Sequence, residues 1–243
     1  LFALAIGATG YAVPMFLFPF AQQSVPSLLA GIYMAFMPIM TVVLASIFAD
    51  EPLTRNKIMG TVIGLGGVMF LILPSWPADG INASIVAQLA LLVATTGYAV
   101  ASVIMRRAPD VPARSFGALV MLLAALISTP AAILDMMKAE GGVSASSAAA
   151  ILYLGILPTG VATIFIIHMI RSAGASFLAV GNYATPGAAI LFGIILFGES
   201  VTVWHVAGLA TILTGVFVAQ PGPLISLWNK FLTKSNTSPE EPL

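Results

Sequence analysis

FMPIMTVVLASIFADEPLTRNKIMGTVIGLGGV at residues 36–68 and ATPGAAILFGIILFGESVTVWHVAGLATILTGV at residues 184–216 together decide how this chain reads. Each stretch is an apolar run, a short polar break and a second apolar run rich in glycine. At an offset of 148, Pro38 meets Pro186, Glu51 meets Glu199, Thr54 meets Thr202, Gly60 meets Gly208 and Gly67 meets Gly215. Upstream, Thr9-Gly10 meets Thr159-Gly160 at an offset of 150, so a small indel separates the two registers. Self-similarity at a fixed spacing marks a chain built from repeated units.

Outward from the repeat, the rest of the chain is equally apolar. Hydrophobic residues make up 59% of it and charged residues 7%, against roughly 25% charged in a soluble domain. So little charge cannot cover a water-facing surface. A helix needs about 20 apolar residues to cross the hydrocarbon core. Eight stretches qualify, near 1–20, 27–48, 57–74, 84–105, 115–137, 147–170, 175–198 and 203–220. Backbone groups in lipid must bond internally, and the runs lack the alternation of barrel strands, so the expectation is an all-α polytopic membrane protein. Nine basic residues balance nine acidic ones, and no basic patch points to nucleic acid. The absence of cysteine removes disulfides, thiolate metal sites and a cysteine nucleophile.

Basic residues in short loops set orientation. With both ends of the chain inside, Arg55, Lys57, Arg106, Arg107, Arg114, Arg171, Lys230 and Lys234 are cytoplasmic, and Lys138 alone is outside. This predicts a multi-pass protein of the cell membrane with cytoplasmic termini. Glu51 then falls in an inner loop and Glu199 in an outer one, so the two copies are upside down. Inverted repeats need an odd number of helices each and commonly meet at a transport site. The second copy, 84–220, has five spans; the first, 1–74, has three. The expectation is eight helices from a ten-helix architecture of two inverted five-helix repeats, the first two helices lacking, with 221–243 as a cytoplasmic tail.

The proline, apolar run, Glu, Thr and glycine-rich helix, present twice, resemble the EamA-type members of the drug/metabolite transporter superfamily. The resemblance covers all but the tail. It implies two inverted five-helix units, a central cavity and a carrier working by alternating access, not an enzyme and without a cofactor. Family substrates range from amino acids and related metabolites, often exported, to toxic compounds. The partners implied are a small-molecule substrate and the lipid bilayer. The competing readings are an integral membrane enzyme and an inactive, truncated scaffold. The enzyme reading lacks a Ser–His–Asp order or an HExxH motif, and His168 and His205 fall on opposite sides, so they cannot share a metal.

Polar groups inside spans are costly and mark sites. Tyr11, Tyr33, Tyr98, Asn182 and Tyr183 are the candidate cavity-lining residues. Thr95, Thr96, Thr159 and Thr163 are better explained by hydrogen bonds to their own helices. Pro38 and Pro186 remove a backbone hydrogen bond and are read as kinks, either tolerated bends or hinges. Glu51 and Glu199 end spans, and Thr54 and Thr202 open the next helices. A carboxylate there can accept from the free N–H groups of that helix start and complement its dipole. Gly60, Gly64, Gly66 and Gly67 read as a close-packing face.

Overall fold

The computed structural model describes residues 1–48, 52–75, 83–109, 111–138, 144–161 and 175–219, and it leaves the side chains of 75, 113, 138 and 175–184 undescribed. Among the described residues every regular element is helical and none is a strand. Among the described residues five helices are long and apolar enough to cross a membrane: α1 (Phe2–Gln22), α2 (Ser27–Phe48), α3 (Arg55–Ile72), α4 (Ala83–Arg106) and α5 (Ala113–Lys138). Three more apolar helices follow: α6 (Ala145–Val161), α7 (Ala175–Phe197) and α8 (Val203–Ala219).

Local chemistry sets several of the helix starts. Thr54 Oγ1 accepts from the Lys57 N–H at 3.4 Å to open α3, and Ser144 Oγ accepts from the Ser147 N–H at 3.1 Å to open α6. Thr202 and His205 cap α8 reciprocally. Thr202 Oγ1 accepts from the His205 N–H at 3.4 Å, and the Thr202 N–H donates to His205 Nδ1 at 3.3 Å. Each side chain satisfies a donor that the first helical turn leaves free.

The two Thr-Gly pairs lie in π-helical turns, Ala8–Ala12 of α1 and Gly155–Val161 of α6. A proline follows the first turn (Pro14) and lies within the second (Pro158). A missing N–H and a bulky ring loosen the ladder there, which favours the wider turn. Pro38 and Pro186 differ. The helix of α2 is interrupted by a turn at Ala35 and Phe36, just before Pro38. By contrast α7 runs unbroken through Pro186, so no break accompanies the second proline.

The core is centred on α2. Leu28, Ile32, Tyr33 and Ile39 are wholly buried against Leu91 of α4, Val68 and Leu71 of α3, and Ile212 and Val216 of α8. Helices α3 and α8 approach closest of all. A methyl on Gly60 would lie 2.6 Å from the Ala219 Cβ and would also strike the Gly215 carbonyl; one on Gly67 would lie 2.8 Å from the Gly208 carbonyl. Thus Gly60 meets Gly215 and Gly67 meets Gly208, an antiparallel and reciprocal pairing of positions equivalent in the two sequence stretches. Small residues let membrane helices touch backbone to backbone, where van der Waals contact drives association. Gly66 does not belong to this face, because a methyl there would meet nothing within 4 Å.

Helix α1 is covered by α4 and α5. Ala3 and Ile6 pack against Ala101 and Val120, and Gly97 gives the Thr9 carbonyl room that a methyl would fill at 2.5 Å. Its counterpart α6 contains no buried residue. The helix ends fall on two faces. Phe2, Phe48 and Arg107 line one groove, so the start of α1 and the ends of α2 and α4 share a face that also carries Arg55, Arg106 and Arg114 at adjoining helix ends. The loop before α2 and the loop between α7 and α8 meet on the opposite face.

Candidate functional site

A cavity of about 420 Å³ opens between α1, α2, α4 and α5. Its polar and polarisable lining is Tyr11 and Tyr98, Ser102, and the thioethers of Met37, Met105 and Met121; Gly10, Ala101 and Gly117 supply the width. The volume lies within the roughly 300–1,000 Å³ of small-molecule sites. Ile6, Met105 and Gly117 lie close to the helix ends at Phe2, Arg106 and Ala113, so the cavity occupies the basic half of the bundle. Tyr11 is placed there by the π turn of α1, a distortion frequent at functional sites. Tyr98 is steadied by Phe18, its ring centroid 6.1 Å away and tilted 36°.

The sequence candidates divide. Tyr11 and Tyr98 line the cavity. Tyr33 does not line it. It is fully buried, and its hydroxyl donates to Gln88 Oε1 at 2.9 Å. Gln88, itself wholly buried, donates onward from Nε2 to Ser84 Oγ at 3.4 Å. A phenol placed in an apolar core needs such a partner, and the bond to Gln88 supplies it. The side chains of Asn182 and Tyr183, and the whole of Glu51, Thr163 and His168, lie outside the described residues. Thr9, Thr41, Thr61, Thr96, Thr129, Thr211 and Thr214 bond back to carbonyls of their own helices at 2.7–2.9 Å. Thr159 does the same to the Leu154 carbonyl at 3.0 Å.

Thr95 is the exception: it is wholly buried and its hydroxyl has no partner. A desolvated, unpaired hydroxyl is a net cost. Thr95→Val keeps the shape and removes that cost. It is expected to stabilise the protein by about 1 kcal/mol, read as a higher thermal midpoint in detergent.

Glu199 does cap a helix start, but not the start of α8 that follows it in the chain. Its Oε1 accepts from the N–H and the Oγ of Ser27, both at 2.7 Å, and its Oε2 accepts from the Leu28 N–H at 2.8 Å. It therefore closes the N-terminus of α2, in the other sequence copy. Pro26 stands at the cap position there with no side-chain acceptor to offer. Burial alone would raise the carboxyl pKa. The bonds from Leu28 and Ser27, with the nearby His205, outweigh burial and hold it below the ordinary carboxylate value. Gly198 turns the chain back in the left-handed region (φ 63°). Gly193 leaves room for the carboxylate, since a methyl there would lie 2.5 Å from Oε2. Gly193, Ser27 and Gln88 carry no recognisable motif, and nothing in the sequence singles them out.

An apolar helix bundle, hollowed on one side by an aromatic and thioether-lined cavity, is a geometry suited to a membrane transporter. The sequence profile described as the EamA-like transporter family matches residues 1–73 and 85–219, and the chain belongs to that family. An "Uncharacterized transporter" of Archaeoglobus fulgidus is 26% identical over 215 residues, covering 88% of this chain and 75% of that protein. "Uncharacterized transporter YdfC" of Bacillus subtilis is 25% identical over 218 residues, covering 87% of this chain and 68% of the relative. A solved structure titled "Crystal structure of protein" superposes with a TM-score of 0.53 at 23% identity, covering 98% of this chain and 78% of the other, a likeness of fold. The protein is thus an all-α, polytopic integral membrane transporter of a small-molecule substrate.

Proposed function

We propose that the protein carries a small metabolite or drug-like compound, of the amino-acid type or related to it, outward across the cell membrane by alternating access. The observation that carries this reading is the cavity at Tyr11, Tyr98 and Ser102 in the basic half of the bundle, with the opposite face drawn together at Glu199 and Ser27. A carrier open to one side and closed to the other has this asymmetry. In this reading the termini and the basic face are cytoplasmic, following the bias of basic loops.

The two sequence copies act as inverted repeats about the α3–α8 contact, a reading supported by the reciprocal pairing of Gly60 with Gly215 and of Gly67 with Gly208. Residues 1–74 belong to the first repeat, 84–220 to the second, and 221–243 form a cytoplasmic tail.

Expression in a host stripped of exporters, screened with amino acids and toxic metabolites for resistance and efflux, tests the function. Against the substrate so found, Tyr98→Phe and Tyr11→Phe are expected to raise the half-saturation constant about threefold to tenfold. That is the loss of one hydrogen bond of about 0.5–1.5 kcal/mol. Membrane expression should be unchanged. Unaltered kinetics in both variants would remove the cavity from the transport path.

A further inference from the structure

Glu199 joins elements that are far apart in the chain and that a carrier would have to separate. It lies in the loop between α7 and α8, yet its three hydrogen bonds go to the first turn of α2, 171 and 172 residues away. The remaining donors of that turn are internally satisfied, with the Leu29 and Ala30 N–H groups bonding to the Pro26 carbonyl at 3.2 and 3.4 Å. The carboxylate therefore satisfies the last donors of the α2 start. Its aim is built in. The Gly198 N–H bonds to the Ile194 carbonyl at 3.1 Å and the Glu199 N–H to the Gly193 carbonyl at 3.0 Å, folding the loop back along α7. Below the bonds, α2 and α7 touch closely. A methyl on Gly193 would lie 3.0 Å from the Leu28 Cβ, and one on Gly31 would overlap the Ala189 Cβ. The cavity opens at the far end of the same bundle.

We propose that Glu199 is an inter-repeat clasp. It holds the end of α7 to the start of α2, closes the face opposite the cavity mouth, and must be released for that face to open. This rests on the alternating-access reading. Opening there pulls the carboxylate from Ser27 and Leu28, exposing two backbone N–H groups and a hydroxyl that only water can then satisfy. The clasp stabilises the state closed at this face and contributes nothing to the other, so its strength biases the equilibrium between them. Hydrogen bonds to a charged group are the strong ones, which suits a contact that must be firm yet separable. His205, facing the carboxylate from α8, is the titratable neighbour among the described residues.

The chain has no cysteine, so labels can be placed at will. Gln23→Cys and Ser200→Cys are both exposed and lie on either side of the clasp. Spin labels there, in the membrane-reconstituted protein, report the separation of α2 and α7 without any substrate. In the otherwise native background the short-distance population is expected to predominate over a minor long-distance one. Glu199→Gln keeps the size and removes the charge. It should raise the ratio of the long-distance to the short-distance population at least tenfold, equivalent to about 1.4 kcal/mol. Ser27→Ala, which deletes one of the three bonds, should move the ratio the same way by less. Gly193→Ala, which crowds the carboxylate, should do so as well. An unchanged distribution in a folded Glu199→Gln protein overturns the clasp. If Glu199→Gln does not fold, the other two variants decide, and no shift in either overturns the clasp. Transport by the native protein is measured separately, so failure of the carrier reading and failure of the clasp are told apart.

Discussion

Gly215→Leu should leave little or no folded protein. The glycine sits where α8 crosses α3, and even a methyl would lie 2.5 Å from the Gly60 carbonyl oxygen and 2.6 Å from the Gly64 nitrogen. These are backbone atoms of a packed helix and cannot rotate away as the tip of a side chain could. The two helices must part, and their contact is lost along its length. Overpacking typically costs about 1–3 kcal/mol, occasionally more, and a clash with main chain belongs at or above the top of that range. That is a large share of a marginal total stability. Gly66→Leu on the same helix pair is the control. A side chain there enters open space toward lipid, so an effect within about 0.5 kcal/mol is expected. Size-exclusion profiles and thermal midpoints after extraction from the membrane distinguish the two. A monodisperse Gly215→Leu protein of native midpoint would show that α3 and α8 do not meet as described.

Gln88→Leu is expected to destabilise by about 1–3 kcal/mol, the cost of stranding a desolvated polar partner. It leaves the Tyr33 hydroxyl, wholly buried beside α4, without its acceptor. Tyr33→Phe strands the Gln88 carbonyl oxygen in the same way, though Gln88 keeps its contact with Ser84. The double variant removes donor and acceptor together and should be more stable than the sum of the single losses implies. A coupling of about 0.5–3 kcal/mol is characteristic of a direct contact. Strict additivity of the two midpoint shifts would count against the pair. Transport per folded molecule should be retained by all three variants, because neither side chain reaches the cavity.

These two experiments probe opposite cases of legibility. The glycines are legible. Their spacing repeats at an offset of 148, and glycine in an apolar span has few uses besides close approach. Only the pairing is missing, since a sequence states which residues are small and not which backbones touch. Gly66 shows the limit: it looks like its neighbours and faces away from α8. Tyr33 is ambiguous in the sequence, because a tyrosine within a span is consistent with a cavity, a core or an interface. Gln88 decides the matter, and it lies on another helix, 55 residues on. The three methionines of the cavity cannot be singled out, because in an apolar helix a thioether reads like any other core side chain.

By itself the sequence determined what depends on composition and short range. It determined that the chain is helical and membrane-spanning, because lipid admits no unbonded backbone and the apolar runs are long enough. It put Thr54 and Thr202 at helix starts, since such signals act over a few residues. It marked the family through the proline, glutamate, threonine and glycine that occur twice. The tertiary structure decided what depends on which helices meet. It put Tyr11 and Tyr98 at the cavity and Tyr33 in the core, paired Gly60 with Gly215, and sent the Glu199 carboxylate to the start of α2 instead of α8. The physical reason is common to all of these. A backbone N–H or a patch of bare backbone is present at every helix start and every glycine, so only the three-dimensional path of the chain selects its partner.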